Sequence, residues 1–103
     1  MLNHVRIDLP TEQIRAYCDQ HPIQRLAIFG SALRDDFNPG SDVDLLVEYA
    51  SGIPVTLLDM AQQEIDLTRI LQRKVDLRTP NELSPYFRQQ VIDGAMVIYE
   101  RAG

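Results

Sequence analysis

Phe29-Gly-Ser-Ala-Leu-Arg-Asp-Asp-Phe-Asn-Pro-Gly-Ser-Asp-Val-Asp-Leu45 is the stretch on which the fold turns. Leading into it, Arg25-Leu-Ala-Ile-Phe29 is a short apolar run stopped by Gly30, the pattern of a buried strand. Ser31 to Asp35 can form a brief helix, and Phe37-Asn-Pro-Gly-Ser41 is dense in turn formers. The turn delivers the chain into Asp42-Val-Asp-Leu-Leu-Val-Glu48, a second strand. Side chains of a strand alternate between faces, so Asp42 and Asp44 leave by one face while Val43, Leu45 and Val47 enter a core from the other.

Residues from about 10 to 20 read as a helix, with Pro10 in its first turn, Asp8 or Thr11 as cap and an end near His21-Pro22. Residues from about 55 to 73 lack Gly and Pro and form the longest helix. Leu57, Leu58, Ala61, Ile65 and Leu71 make its apolar stripe, and Met60, Leu67 and Ile70 beside them are spare surface for a partner. Lys74-Val-Asp-Leu-Arg78 alternates as a third strand and Thr79-Pro-Asn-Glu82 is a loop. A helix over about 84–93 and a last strand, Ala95-Met-Val-Ile-Tyr99, complete the chain. Strands separated by helices predict one layered domain of the α/β (α+β) class over residues 1–103.

The chain has 103 residues and a formal net charge of -5, and no basic run exceeds Arg73-Lys74. Tracking a nucleic acid takes clustered Lys and Arg, so direct nucleic-acid binding is not expected, and a small ligand or a protein partner fits better. Cys18 is the only cysteine, a half-buried helix residue by its position, which points to a reduced, cytoplasmic setting. No apolar run approaches the ~18 residues of a membrane span.

Two carboxylates held on one strand face repel each other, and a fold that builds such a pair does so for a metal or a shared proton. All-oxygen ligands favour magnesium or manganese. A third acid, Asp76, lies between Val75 and Leu77 on the third strand and completes a two-ion set. Asp42 and Asp44 would bridge both ions, and Asp76 would hold only the one that activates an acceptor oxygen. Gly30 lets backbone approach a phosphate, and Ser31 sits where strand gives way to helix, so the two would grip the β- and γ-phosphates of a nucleoside triphosphate. Arg34 could add a forked cationic contact or pair with Asp35 or Asp36. His4 and His21 have no ligand partner at metal spacing and take surface or loop roles. Tyr17, Tyr49, Tyr86 and Tyr99 read as packing residues with a polar tip.

Gly30-Ser31, ten residues, Asp42-Val43-Asp44 and the later Asp76 together resemble the minimal nucleotidyltransferases, the smallest members of the DNA polymerase β-like superfamily. Many relatives read Gly-Ser-Arg-Ala-Arg-Gly, whereas this chain has Gly30-Ser-Ala-Leu-Arg-Asp35, keeping Arg34 but replacing the first Arg by Ala32. The resemblance implies a polymerase β-like fold, a small mixed sheet flanked by helices. It further implies the antitoxin of a type VII HEPN/MNT toxin-antitoxin pair. Such a protein uses ATP and Mg2+ to place AMP on a tyrosine of a HEPN-domain ribonuclease toxin. A non-catalytic antitoxin that inhibits by binding alone is the alternative, and transfer to a small hydroxyl compound ranks below both.

Overall fold

The computed structural model describes residues 9–33 and 41–102. Chain order is α1 (Thr11–Asp19), β1 (Ile23–Phe29), a 3-10 turn (Gly30–Leu33), β2 (Val43–Tyr49), α2 (Leu57–Leu71), β3 (Val75–Arg78), a second 3-10 turn (Pro80–Glu82), α3 (Arg88–Gly94) and β4 (Met96–Glu100). The strands form one mixed sheet in the order β3-β2-β1-β4, with β1 antiparallel to both β2 and β4 and β2 parallel to β3. This is the small mixed sheet with helices that the sequence led us to expect. The parallel pair needs a crossover, which α2 supplies.

Strand alternation sorts the sheet into two faces. Leu26 and Ile28 of β1, Val43, Leu45 and Val47 of β2, and Val75 and Leu77 of β3 share one face through their pairings. All seven are buried, packed with Ile14 and Cys18 of α1 and Leu67 and Leu71 of α2. Each large aliphatic side chain so buried contributes ~1.5–3 kcal/mol. Cys18 is fully buried rather than half-buried, and burial, with Asp19 nearby, pushes its thiol up to about 12.

Helix α2 begins with a capping box in which the Asp59 N–H donates to Thr56 Oγ1 (3.1 Å) and the Thr56 N–H donates to Asp59 Oδ2 (2.9 Å). Its inward face differs from the expected stripe. Gln63, Leu67 and Leu71 are buried, with Met60 and Ile70 packed against the core. Leu57 and Leu58 are 80% and 82% exposed, and Ala61 and Ile65 are also exposed. The supposed spare surface is therefore core, and four of the five supposed core residues face outward. The reason is that α2 covers a sheet edge as well as an apolar face. Along β3, the Val75 N–H donates to Thr68 Oγ1 (3.1 Å) and the Leu77 N–H donates to Glu64 (2.7 Å). These α2 side chains satisfy an edge strand that would otherwise offer unpaired backbone. Gln63, buried among them, accepts the Tyr49 hydroxyl at 2.7 Å.

Arg101, just after β4, ties that strand to the end of α1. Its guanidinium donates to the carbonyls of Cys18 (2.7 Å), His21 (2.6 Å) and Ile23 (3.1 Å), satisfying the C-terminal end of α1 with a cation. Tyr17 donates to Asp66 and Tyr99 to Asp19, so these rings pack with a bonded tip as expected, whereas Tyr86 is 92% exposed. His21 stacks on Tyr17 in the loop after α1.

Candidate active site

The site grows from the end of β1. Phe29 pairs with Asp44 across the antiparallel ladder, and Asp44 pairs with Asp76 across the parallel one. Paired residues share a face, so Phe29, Asp44 and Asp76 stand side by side on the sheet face opposite the aliphatic core. Immediately after Phe29 the backbone turns at Gly30 with φ +77, in the left-handed region, and enters the 3-10 turn that Ala32 anchors in the core. A methyl group at Gly30 would overlap the Asp44 carboxylate. Glycine is required here twice over, by the dihedral and by the close approach of backbone to acid.

Asp42 lies exposed just ahead of β2, where the Val43 N–H donates to the Lys74 carbonyl (2.8 Å) and begins the pairing with β3. Of the residues singled out from the sequence, Gly30, Asp44 and Asp76 are thus brought to one end of one face, with Asp42 at its margin. The Ser31 backbone belongs to the 3-10 turn. Arg34 lies outside the described residues, as do His4 and the segment from Asp35 to Gly40.

Sequence reading missed Arg78. Its Nη2 and Nε sit 3.2 and 3.3 Å from Asp76 Oδ2. Asp76 raises the Arg78 pKa, by hydrogen bond first and by charge second, and Asp44 adds a smaller contribution. The signal was present in Val75-Asp-Leu-Arg78, because two-residue alternation places Arg78 on the same face as Asp76. Among the described residues, no three acidic, imidazole or thiol side chains are drawn tightly enough together to cage an ion as they stand. What the backbone supplies is an all-carboxylate donor set on adjacent strands, the type of set that suits a hard divalent cation, with a glycine wall against Asp44.

The model of the nucleotidyltransferase domain family matches residues 11–98. A protein of Methanocaldococcus jannaschii, provisionally named a protein adenylyltransferase, is 32% identical over 77 residues, which is 75% of this chain and 81% of that protein. Two further proteins of that organism with the same provisional name are each 32% identical over 81 residues, covering 78% of this chain and 81% of theirs. A solved structure provisionally described as a minimal nucleotidyltransferase superposes with a TM-score of 0.68 at 35% identity, over 84% of this chain and 86% of that one. A toxin-antitoxin crystal structure with AMP-PNP shares the fold, with a TM-score of 0.71 at 20% identity over 90% of this chain and 75% of that one.

Proposed function

We propose that this chain, which belongs to the nucleotidyltransferase domain family, is a single-domain protein adenylyltransferase that acts as the antitoxin of a partner toxin. The observation that carries the reading is the register that sets Phe29-Gly30 against Asp44 and Asp44 against Asp76 on one sheet face. The names of the relatives support adenylyl transfer to protein, and the shared fold of the toxin-antitoxin structures supports a toxin as the target. In its full form the proposal is transfer of AMP from ATP to a tyrosine of a HEPN-domain ribonuclease, in the cytoplasm, with magnesium. No described helix is long and apolar enough to cross a membrane.

Asp42, Asp44 and Asp76 would hold the magnesium ions, with Asp42 and Asp44 shared between them. Bound there, the ions would lower the pKa of the acceptor hydroxyl and neutralise the departing pyrophosphate. Gly30, bare of a side chain, admits the triphosphate to the backbone of the turn, with Ser31 and Arg34 as further phosphate contacts. Arg78 holds the Asp76 carboxylate in place through its two guanidinium contacts before the ligands arrive. Orientation does the remaining work, lining the tyrosine oxygen up with the α-phosphorus so that its new bond forms as the bond to pyrophosphate breaks.

Mass spectrometry of the toxin after incubation with this protein, ATP and magnesium should show the addition of one or more AMP units. Asp44→Asn should abolish the addition, and a toxin of unaltered mass under conditions that support neutralisation would end the enzymatic reading. One observation favours inhibition by binding as a second reading. The outward face of α2 exposes the apolar side chains of Leu57, Leu58 and Ile65. If Asp44→Asn protein neutralises the toxin at equal dose, that face rather than the chemistry is sufficient.

A further inference from the structure

Phe29, the cross-strand partner of Asp44, also forms a wall of a second feature. Between the end of β1 and α3 lies a cavity of about 410 Å³, lined by Phe29, Gly30, Phe87, Gln90, Val91 and Gly94. That volume falls within the range of small-molecule sites. Among the described residues its lining carries no charged side chain. Phe87 is 60% exposed and so accessible to a ligand in the cavity. Gln89 donates its amide to Asp93 (2.8 Å), whereas the exposed Gln90 amide makes no hydrogen bond among the described residues.

We infer that this cavity seats the adenine base of the donor nucleotide, with Phe87 as the stacking surface and the Gln90 amide as the reader of the purine edge. The inference rests on the nucleotidyltransferase reading and extends it to base selection. Gly30 belongs to both places, its bare Cα facing the Asp44 carboxylate and its backbone lining the cavity. A triphosphate held at the turn therefore has uncharged, aromatic space directly beside it. Position separates the donor from the acceptor. The cavity lies on the β1 side of Asp44, while Asp76 lies on the β3 side, so the base and the incoming hydroxyl approach Asp44 from opposite flanks. Chemistry favours adenine over guanine. A Gln amide presents a donor and an acceptor together, matching the N6–H and N7 of adenine, whereas guanine offers the acceptors O6 and N7 that call for Arg or Lys. Among the described residues no basic side chain lines the cavity.

The experiment measures ATP, GTP and inorganic tripolyphosphate binding to the full chain with magnesium, by calorimetry. Phe87→Ala should weaken ATP about ten-fold, the scale of one base–aromatic stack, and leave tripolyphosphate unchanged. Phe87→Tyr should retain the wild-type ATP affinity, and Gln90→Ala should move the ATP-to-GTP preference towards one. Phe87 is mostly exposed, and a melting curve confirms that each variant is folded. Unchanged ATP affinity in Phe87→Ala, beside a wild type that binds ATP and tripolyphosphate, overturns the base assignment alone. Normal ATP binding with impaired transfer would hand the cavity to the acceptor and overturn it as well. A wild type that binds neither probe removes the nucleotidyltransferase reading together with the inference.

Discussion

Gly30 shows how much one missing side chain can carry. With φ +77 it occupies a conformation that costs a residue with a Cβ ~1–3 kcal/mol, and an added methyl would also collide with the Asp44 carboxylate. Gly30→Ala should therefore lower the urea midpoint and, in protein that remains folded, reduce AMP transfer much more than stability alone explains. A variant with full transfer activity would show that Asp44 does not need its present position. The placement of Gly30 at a strand end and of Asp44 on the next strand was legible in the sequence because each depends on local spacing, a strand stopped by glycine and two acids in alternation. Arg78 was not read, although the same alternation applied to it, because a cation at a strand end has many uses and its partner Asp76 had already been assigned to a metal.

At the scale of the element, α2 is where sequence and structure part. Its extent was readable from a Gly- and Pro-free run, but its capping box and its inward face were not. Apolar periodicity favoured Leu57, Leu58, Ala61 and Ile65, whereas the buried face includes Gln63 and places Glu64 and Thr68 against the edge of β3. Polar residues with backbone partners are invisible to a hydrophobic pattern, since what makes them inward-facing lies in another strand. Two leucines on the one helix should consequently behave in opposite ways. Leu67→Ala opens a cavity in the core and should cost ~2–5 kcal/mol by urea denaturation. Leu57→Asp, at an 80% exposed site, should change stability by no more than about 0.5 kcal/mol. If α2 presents its outward face to the toxin, Leu57→Asp should instead weaken that complex in a pull-down or calorimetric titration.

Across the molecule, the packing of α1 and α2 on the sheet joins proton-binding groups from three elements, so the global stability should carry a readable pH signature. Burial, and then the neighbouring Asp66, holds the Tyr17 hydroxyl protonated well above the usual tyrosine range. Burial, followed by the charges of Glu82 and Asp59, pushes Tyr49 up to about 12, and Cys18 likewise titrates near 12. These groups bind protons more tightly folded than unfolded. Their contribution is fully present below the unfolded thiol and phenol values of 9.0 and 10.0 and is lost as pH rises towards the folded ones. Asp66 works in the other direction. Its pKa is lowered from 3.8, first by the Tyr17 hydroxyl and then by the Gln62 amide, so its contribution holds above that value and disappears as pH falls through the lowered one. A urea midpoint followed by circular dichroism should therefore be level between roughly pH 5 and 8.5 and decline on both sides. Tyr17→Phe removes a buried phenol from the alkaline limb and the hydroxyl donor of Asp66 from the acid limb, so it should make both declines shallower. A Tyr17→Phe profile parallel to the wild type at both ends would mean that the Tyr17–Asp66 bond, which spans α1 and α2, plays no part in coupling these helices to the fold.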